Sequence, residues 1–146
     1  MSALVGRDPS ATAAALIEAH RGHSDWLDQF AEEFDRRRAG ASLERVLRVW
    51  GLNATEAGKL FGVSRQAVSK WIARGVPADR AEQVADVARA TDLLVRHLKR
   101  DRIPAVVRRR ASALDGCSLV ELLAASGSTA VLEASRKMFT FGDVHA

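Results

Sequence analysis

The sequence predicts an all-α protein, and two observations support that fold class. Only three of the 146 residues are prolines, while the good helix formers Ala, Leu and Arg are frequent. Apolar residues recur at three- and four-residue spacing, and no alternation typical of a strand runs longer than four residues. The length allows one ordinary domain or two very small ones, and it is too short for a TIM barrel or a full dinucleotide-binding enzyme.

The first 41 residues are predicted to form a tail and two helices. After a tail over 1–10, an Ala-rich helix is expected over 11–20, and Gly22 interrupts it. Ser24 is a good N-cap for a second helix, which is expected to end before Gly40. Four residues at helical spacing give this second helix an apolar stripe to bury: Trp26, Leu27, Phe30 and Phe34.

Residues 42–62 are predicted to form two further helices. Ser42 is expected to cap a helix with one apolar face, which Gly51 ends. That face comprises Leu43, Val46, Leu47 and Trp50. Asn53 and Glu56 have the spacing of a capping box at the start of a short helix.

The segment 55–72, TEAGKLFGVSRQAVSKWI, has the pattern of two short helices joined by a tight turn. Gly62 suits a turn residue with positive φ, and Ser64 suits the N-cap of the second helix. Ala57 and Gly58 are small where the second helix is expected to cross the first. Four apolar residues would lock the pair together: Leu60, Val63, Val68 and Trp71.

This segment resembles the Xre/Cro/repressor-type helix-turn-helix family, in which GVSRxxVSxW is a recurrent core, and the resemblance runs from Leu43 to about Val87. It implies a DNA-binding domain with 64–72 as the recognition helix in the major groove. One departure is Gly58, where the family usually has Ala, at a cost of up to about 1 kcal/mol in helix propensity. The residues expected to contact DNA are Thr55, Ser64, Arg65, Gln66, Ser69, Lys70 and Arg74.

The chemistry of these residues and the charge distribution agree with DNA binding. Gln can pair bidentately with adenine, and Arg or Lys with guanine, while hydroxyl groups can reach phosphates. The formal net charge is only +4, but residues 59–110 hold 13 Lys and Arg against 5 Asp and Glu. A positive field concentrated on one part of the chain is what phosphate binding needs. The alternative is that these cations form an ordinary solvated surface.

The remaining residues are predicted to form four helices. No Gly or Pro interrupts a long helix over 78–100, and Pro104 begins a short one. Ser118 and Glu121 have the spacing of a second capping box, and Ser128 is expected to cap a last helix.

Residues 103–139 resemble the C-terminal domain of the Xre/MbcA/ParS antitoxins, in which a small-Leu-Gly-Gly turn leads into an S-P-L-E-L-L helix, a Gly break and a final helix. The equivalents here are ALDG at 113–116 and SLVELL at 118–123. Leu119 stands where that family has proline, and Asp115 stands at the first of its two glycines. The resemblance implies a dimeric DNA-binding antitoxin that binds an NAD-consuming enzyme toxin and represses its own operon.

The sequence therefore predicts a transcriptional repressor with an N-terminal region over 1–41, a helix-turn-helix domain over 42–90 and a helical interaction domain over 91–146. The expected partners are double-stranded DNA, a second copy of the chain and a cognate toxin protein. A stand-alone phage-type or chromosomal repressor, and an interaction module that no longer binds DNA, remain alternatives. Two segments are candidates for the subunit interface, namely the helix over 78–100 and the N-terminal helix with its apolar stripe.

Enzyme, metal and membrane functions are not expected. No Ser/His/Asp or Cys/His set can be assembled, and His20 and His23 lack the further ligands that a metal site needs. A single cysteine, Cys117, cannot form an internal disulfide. No apolar run approaches the roughly 18 residues of a membrane span, and the N-terminus does not resemble a signal peptide. We therefore expect a cytoplasmic protein without a catalytic centre, metal or cofactor.

Overall fold

The computed structural model describes residues 8–144, with side-chain burial through Thr140, and it confirms an all-helical fold. The greater part of the predicted tail, residues 1–7, lies outside the described residues. The α-helices are α1 Pro9–Ala19, α2 Ser24–Trp50, α3 Ala54–Phe61, α4 Arg65–Arg74, α5 Ala81–His97, α6 Ile103–Arg108, α7 Leu119–Ser126 and α8 Ser128–Val144. Short 3-10 turns occupy Ala78–Arg80, Arg100–Arg102 and Ser112–Leu114. Some bounds differ from the sequence prediction: α1 already begins at Pro9, and the helix expected over 78–100 is a 3-10 turn followed by α5, which ends at His97.

The chain divides into two compact units, Met1–Asp35 and Arg36–Ala146, of which residues 8–35 and 36–144 are described. In the first unit no described residue is buried. Trp26, Phe30 and Phe34, here called the aromatic stripe, are 38%, 40% and 56% exposed, so residues 8–35 do not bury the predicted apolar face among themselves. The ring of His20 stacks on Trp26 at 3.4 Å between centroids, and Trp26 lies 5.5 Å from Phe30.

The second unit has a continuous apolar core. Its largest fully buried side chains are Trp50, Leu43, Leu94, Ile103, Leu119, Val46, Val68, Val76, Val84, Val87, Val107 and Val131. They come from α2, α4, α5, α6, α7 and α8 and from the segment after α4, so the helices on both sides of position 90 share one core. The indole Nε1–H of Trp50 donates to the hydroxyl of Thr91 at 2.9 Å, which satisfies the one polar atom of this buried ring.

The predicted helix break at Gly40 is wrong, because α2 continues through this residue to Trp50. Gly40 is buried, and a Cβ placed there would lie 2.4 Å from the carbonyl oxygen of Trp71. The glycine therefore serves a close helix approach rather than a helix end. Ser42 accordingly lies inside α2 and is not an N-cap. The expected region boundaries after residues 41 and 90 fall within α2 and α5.

The start of α8 is joined to α5 through a buried carboxylate. Asp86 of α5 is 7% exposed and accepts hydrogen bonds from the hydroxyls of Ser128 at 3.1 Å and Thr129 at 3.3 Å. Arg89 donates to its other oxygen at 3.2 Å. Because α8 already begins at Ser128, this serine is the first helical residue and not the predicted N-cap, and its hydroxyl bonds to a neighbouring helix. A carboxylate is favourable at this place because the first turn of a helix carries partial positive charge.

The turn before α7 has the backbone conformation that its predicted glycine pattern requires. Asp115 has φ 57° and Gly116 has φ 80°, both in the left-handed region. Asp is among the residue types that tolerate this region, so it can stand at the first glycine position. The predicted N-cap of α7 is confirmed, since the Ser118 hydroxyl accepts from the Glu121 N–H at 3.1 Å.

Candidate nucleic-acid interface

The α3–α4 pair is fixed by local hydrogen bonds at each end of its turn. The predicted capping box is confirmed: the Asn53 side chain accepts from the Glu56 N–H at 2.8 Å, and the Glu56 carboxylate accepts from the Asn53 N–H at 3.2 Å. Gly62 ends α3 with φ 70°, and the Ser64 hydroxyl accepts from the Ala67 N–H at 3.0 Å as the N-cap of α4. The backbone of the turn is thus largely determined by the local sequence.

Gly58 has a packing role that helix propensity alone does not reveal. A Cβ at this position would lie 2.6 Å from the carbonyl oxygen of Val63 and 3.2 Å from the carbonyl carbon of Ser64. The turn into α4 therefore runs directly against the backbone of α3. In this chain an alanine at position 58, as in the family that the segment resembles, would require the turn to shift.

The inner side of α4 is held by buried apolar groups and by one arginine that sequence reasoning missed. Val68 is fully buried and Trp71 is 6% exposed. Arg80 donates to the carbonyl oxygen of Phe61 at 3.0 Å, and its guanidinium carbon lies 5.9 Å from the centre of the Trp71 ring. Arg80 thus contacts both the C-terminus of α3 and the indole of α4. The spacing of residues in the sequence does not predict this arrangement.

The seven residues expected to contact DNA are all exposed. Thr55 lies in the first turn of α3, Ser64 is the N-cap of α4, and the other five lie on α4. At 100° per residue, Arg65, Gln66, Ser69 and Lys70 share one side of α4, opposite Val68 and Trp71. The hydroxyl oxygen of Ser64 is engaged in the cap, but its proton is still able to donate.

The cations of residues 59–110 fall into two groups. Four of the 13 bond to other parts of the chain, namely Arg80, Arg89, Arg108 and Arg110. The other nine are exposed and form no ion pair within residues 8–144. These nine are Lys59, Arg65, Lys70, Arg74, Arg96, Lys99, Arg100, Arg102 and Arg109. An exposed cation without an acidic neighbour keeps its charge available for an anionic ligand.

The three arginines of the basic run at 108–110 differ in their partners. The guanidinium of Arg108 donates to the carbonyl oxygens of Trp50 at 2.8 Å and Gly51 at 2.7 Å, where α2 ends, and it lies 3.6 Å from the Glu56 carboxylate. Arg110 instead donates to Glu121 at 2.8 Å. That hydrogen bond lowers the pKa of the Glu121 carboxyl from its ordinary value. Of the three arginines, only Arg109 forms no ion pair with a described residue.

The C-terminal part also carries an open groove of about 670 Å³. It lies between the 3-10 turn at Ser112–Leu114, α7 and α8. Its lining is mixed in character and comprises Ala111, Ala113, Leu114, Asp115, Leu122, Ala130, Glu133, Ala134, Lys137 and Met138. Cys117 is a half-buried free thiol in the turn before α7.

Residues 8–144 carry the features of neither a membrane span nor a metal site. None of the helices there combines the length and the hydropathy that crossing a membrane requires. In the same residues no three metal-ligating side chains of His, Cys, Asp or Glu come together.

Comparison with known proteins gave one structural likeness. No protein-family model and no curated protein matches the sequence. The structure is similar to the MbcA antitoxin in the crystal structure of the M. tuberculosis MbcT–MbcA toxin–antitoxin complex, with a TM-score of 0.56 and 21% sequence identity. The match covers 68% of this chain and 91% of that chain. About two thirds of this protein therefore has the fold of an MbcA-like antitoxin.

Proposed function

We propose that the protein is a sequence-specific DNA-binding repressor that acts as the antitoxin of a toxin–antitoxin pair. The observation that carries the DNA-binding part is the outer side of α4. Four side chains with base- and phosphate-binding chemistry, Arg65, Gln66, Ser69 and Lys70, are exposed there without an ion pair to any described residue. They stand on a helix whose inner side is fixed by Val68 and Trp71. A rigid helix with unpaired polar groups on its outer side suits insertion into a major groove.

The antitoxin part of the proposal is supported by two observations. The fold resembles that of an antitoxin crystallised with its toxin. The sequence of residues 103–139 resembles the C-terminal domain of the Xre/MbcA/ParS antitoxins. We assign contact with a toxin to the C-terminal helical region over 91–146, and repression of its own operon to the DNA-binding helices over 42–90.

We further propose that the repressor is a homodimer. Of the two candidate interfaces, the apolar side of α5 is used inside the chain, because Val84, Val87, Ala90 and Leu94 are at most 1% exposed. The aromatic stripe of the first unit remains uncovered. A second copy of the chain would bury it and would place two recognition helices on a two-fold symmetric operator.

The test of DNA binding is a fluorescence anisotropy titration with duplex DNA from upstream of the protein's own coding region. The double variant Gln66→Ala and Lys70→Ala is expected to weaken binding at least about 30-fold, since each good base contact contributes roughly 1–3 kcal/mol. The control is the double variant Arg136→Ala and Lys137→Ala, which removes two exposed cations from α8 and should change the affinity about twofold or less. Wild-type affinity in the first variant would contradict the assignment of α4.

The toxin assignment is tested separately in cells. The adjacent open reading frame is expressed with and without the full chain, and growth and co-purification are measured. Lethality that the full chain relieves, together with a stable complex, would support the antitoxin role. A harmless neighbour and no complex would favour the stand-alone repressor instead.

A further inference from the structure

The three arginines at 108–110 lie at the end of α6, outside the α3–α4 pair to which the proposed function assigns DNA binding. Arg108 holds the end of α6 against the corner where α2 passes into α3, through the carbonyl oxygens of Trp50 and Gly51. The approach is close, because a Cβ on Gly51 would lie 3.3 Å from the Cβ of Pro104. The start of α6 is therefore packed against this corner, and the Arg108 side chain from the last turn of α6 reaches the first turn of α3.

This corner is also where α3 presents its proposed phosphate contact. Arg108 lies 3.6 Å from the carboxylate of Glu56, and Thr55 is the neighbouring residue in the same turn. Arg109 follows Arg108 directly, about 3.8 Å further along the backbone. It is exposed, its backbone is extended with φ −77° and ψ 128°, and it forms no ion pair within the described residues.

More unpaired cations lie next to α6. The 3-10 turn at Arg100–Arg102 contacts α6, and Lys99, Arg100 and Arg102 are exposed with no ion pair to any residue of 8–144. Asp101 is the only acidic residue between Lys99 and Arg110. Residues 99–110 therefore carry four exposed cations without an ion pair to a described residue, and Arg109 is the one that directly follows the corner contact made by Arg108.

We propose that Arg109 binds a backbone phosphate of the DNA duplex, so that the C-terminal region takes part in holding DNA. This inference rests on the proposed function, since it presumes that α3 and α4 face a duplex. The ligand chemistry is a phosphodiester, which a guanidinium recognises by charge-assisted hydrogen bonds. Phosphate contacts add affinity without reading sequence, and each one adds about 0.9 to the steepness of the salt dependence.

The experiment compares full-length wild type, Arg109→Gln and Arg136→Gln in anisotropy titrations between 50 and 200 mM salt. Two duplexes are used, the upstream DNA and an unrelated sequence of equal length. Arg109→Gln is expected to weaken binding about five- to tenfold near 0.1 M salt on both duplexes and to reduce the slope of log affinity against log salt by about 0.9. Arg136 is a matched control because it is an exposed cation of α8 without an ion pair to a described residue.

Three other outcomes would contradict the phosphate contact or the proposed function. If wild type binds and Arg109→Gln behaves like Arg136→Gln, the phosphate contact is wrong while the proposed function stands. If Arg109→Gln weakens binding to the upstream duplex alone, Arg109 reads bases and the phosphate assignment is wrong. If wild type binds neither duplex, the proposed function fails and this inference fails with it. Equal circular dichroism spectra and melting temperatures of the three proteins confirm that each variant is folded.

Discussion

Replacing Gly40 tests whether close packing or helix propensity has the larger effect on stability at this position. In the middle of a helix, a change from Gly to Ala gains about 1 kcal/mol when the new methyl group has room. Here the added Cβ would lie 2.4 Å from the carbonyl oxygen of Trp71, whereas ordinary contact begins at 3.4 Å. The two helices would have to separate by about 1 Å, and forced overpacking costs about 1–3 kcal/mol. The added Cβ meets backbone and not a flexible side chain, which places this cost in the upper part of the range, about 2–3 kcal/mol. After the gain in propensity, we expect Gly40→Ala to lower the free energy of unfolding by about 1–2 kcal/mol.

The matched control is Ala41→Gly, at the next and exposed residue of α2, which should destabilise by about 1 kcal/mol through propensity alone. Urea unfolding followed by circular dichroism gives both values, and a drop of about 3–8 °C in melting temperature is expected for Gly40→Ala. Because the Trp71 carbonyl accepts the Gly75 N–H at 2.9 Å, the end of α4 should also loosen. If Gly40→Ala raises the free energy of unfolding by as much as Ala41→Gly lowers it, helix propensity alone accounts for the stability effect at position 40 and the close approach is refuted.

Three further predictions follow from other contacts. Asp86→Ala should lower the free energy of unfolding by about 1–3 kcal/mol, because it leaves the buried Ser128 hydroxyl without an acceptor. Asp92→Ala, which breaks the exposed pair with Arg45, should change it by less than about 1 kcal/mol in the same urea assay. Equal effects of the two substitutions would refute the role of burial. Arg110→Ala should raise the pKa of Glu121 toward its ordinary value in an NMR titration of the carboxyl carbon. Because this pKa is lowered in the folded wild type, the pair stabilises the fold above the unfolded-state pKa of Glu121, and the stabilisation is lost as pH falls through the folded-state pKa. An unchanged pKa in the variant would contradict the pairing. Phe30→Asp should yield a monomer in light scattering after size exclusion, whereas a persistent dimer would place the interface elsewhere.

The sequence predicts best those parts of the structure that local interactions decide. The capping box of Asn53 and Glu56, the left-handed Gly62 and the cap at Ser64 need only residues within a few positions of one another, and each is confirmed. Spacing also predicts the buried face of α2 over 43–50 and that of α4, because burial follows helical periodicity, whereas the stripe at Trp26, Phe30 and Phe34 has the same periodicity and is exposed.

Contacts between distant residues account for what the sequence could not predict. A glycine inside a pattern signals a helix end as readily as a close approach, and only the position of Trp71 shows which applies at Gly40. Arg80 and Arg108 looked like members of a basic surface, yet their guanidinium groups bond to backbone carbonyls 19 and 57 or 58 residues away. Long side chains of this kind carry no periodic signal, because their reach spans several elements.

The shared core of Arg36–Ala146 makes folding stability a reporter of binding anywhere on that unit. A molecule that binds only the folded form, present at 100 times its dissociation constant, raises the free energy of unfolding by about 2.7 kcal/mol. Because the buried residues of α4 and α8 belong to one cluster, a partner held on α8 would slow amide exchange in α4 when exchange requires opening of the whole unit. DNA held on α4 would protect α8 from proteolysis in the same way. If the proposed function holds, binding of toxin and binding of operator could therefore each be detected on a helix that the ligand does not touch, without any change of shape passing between the two helices.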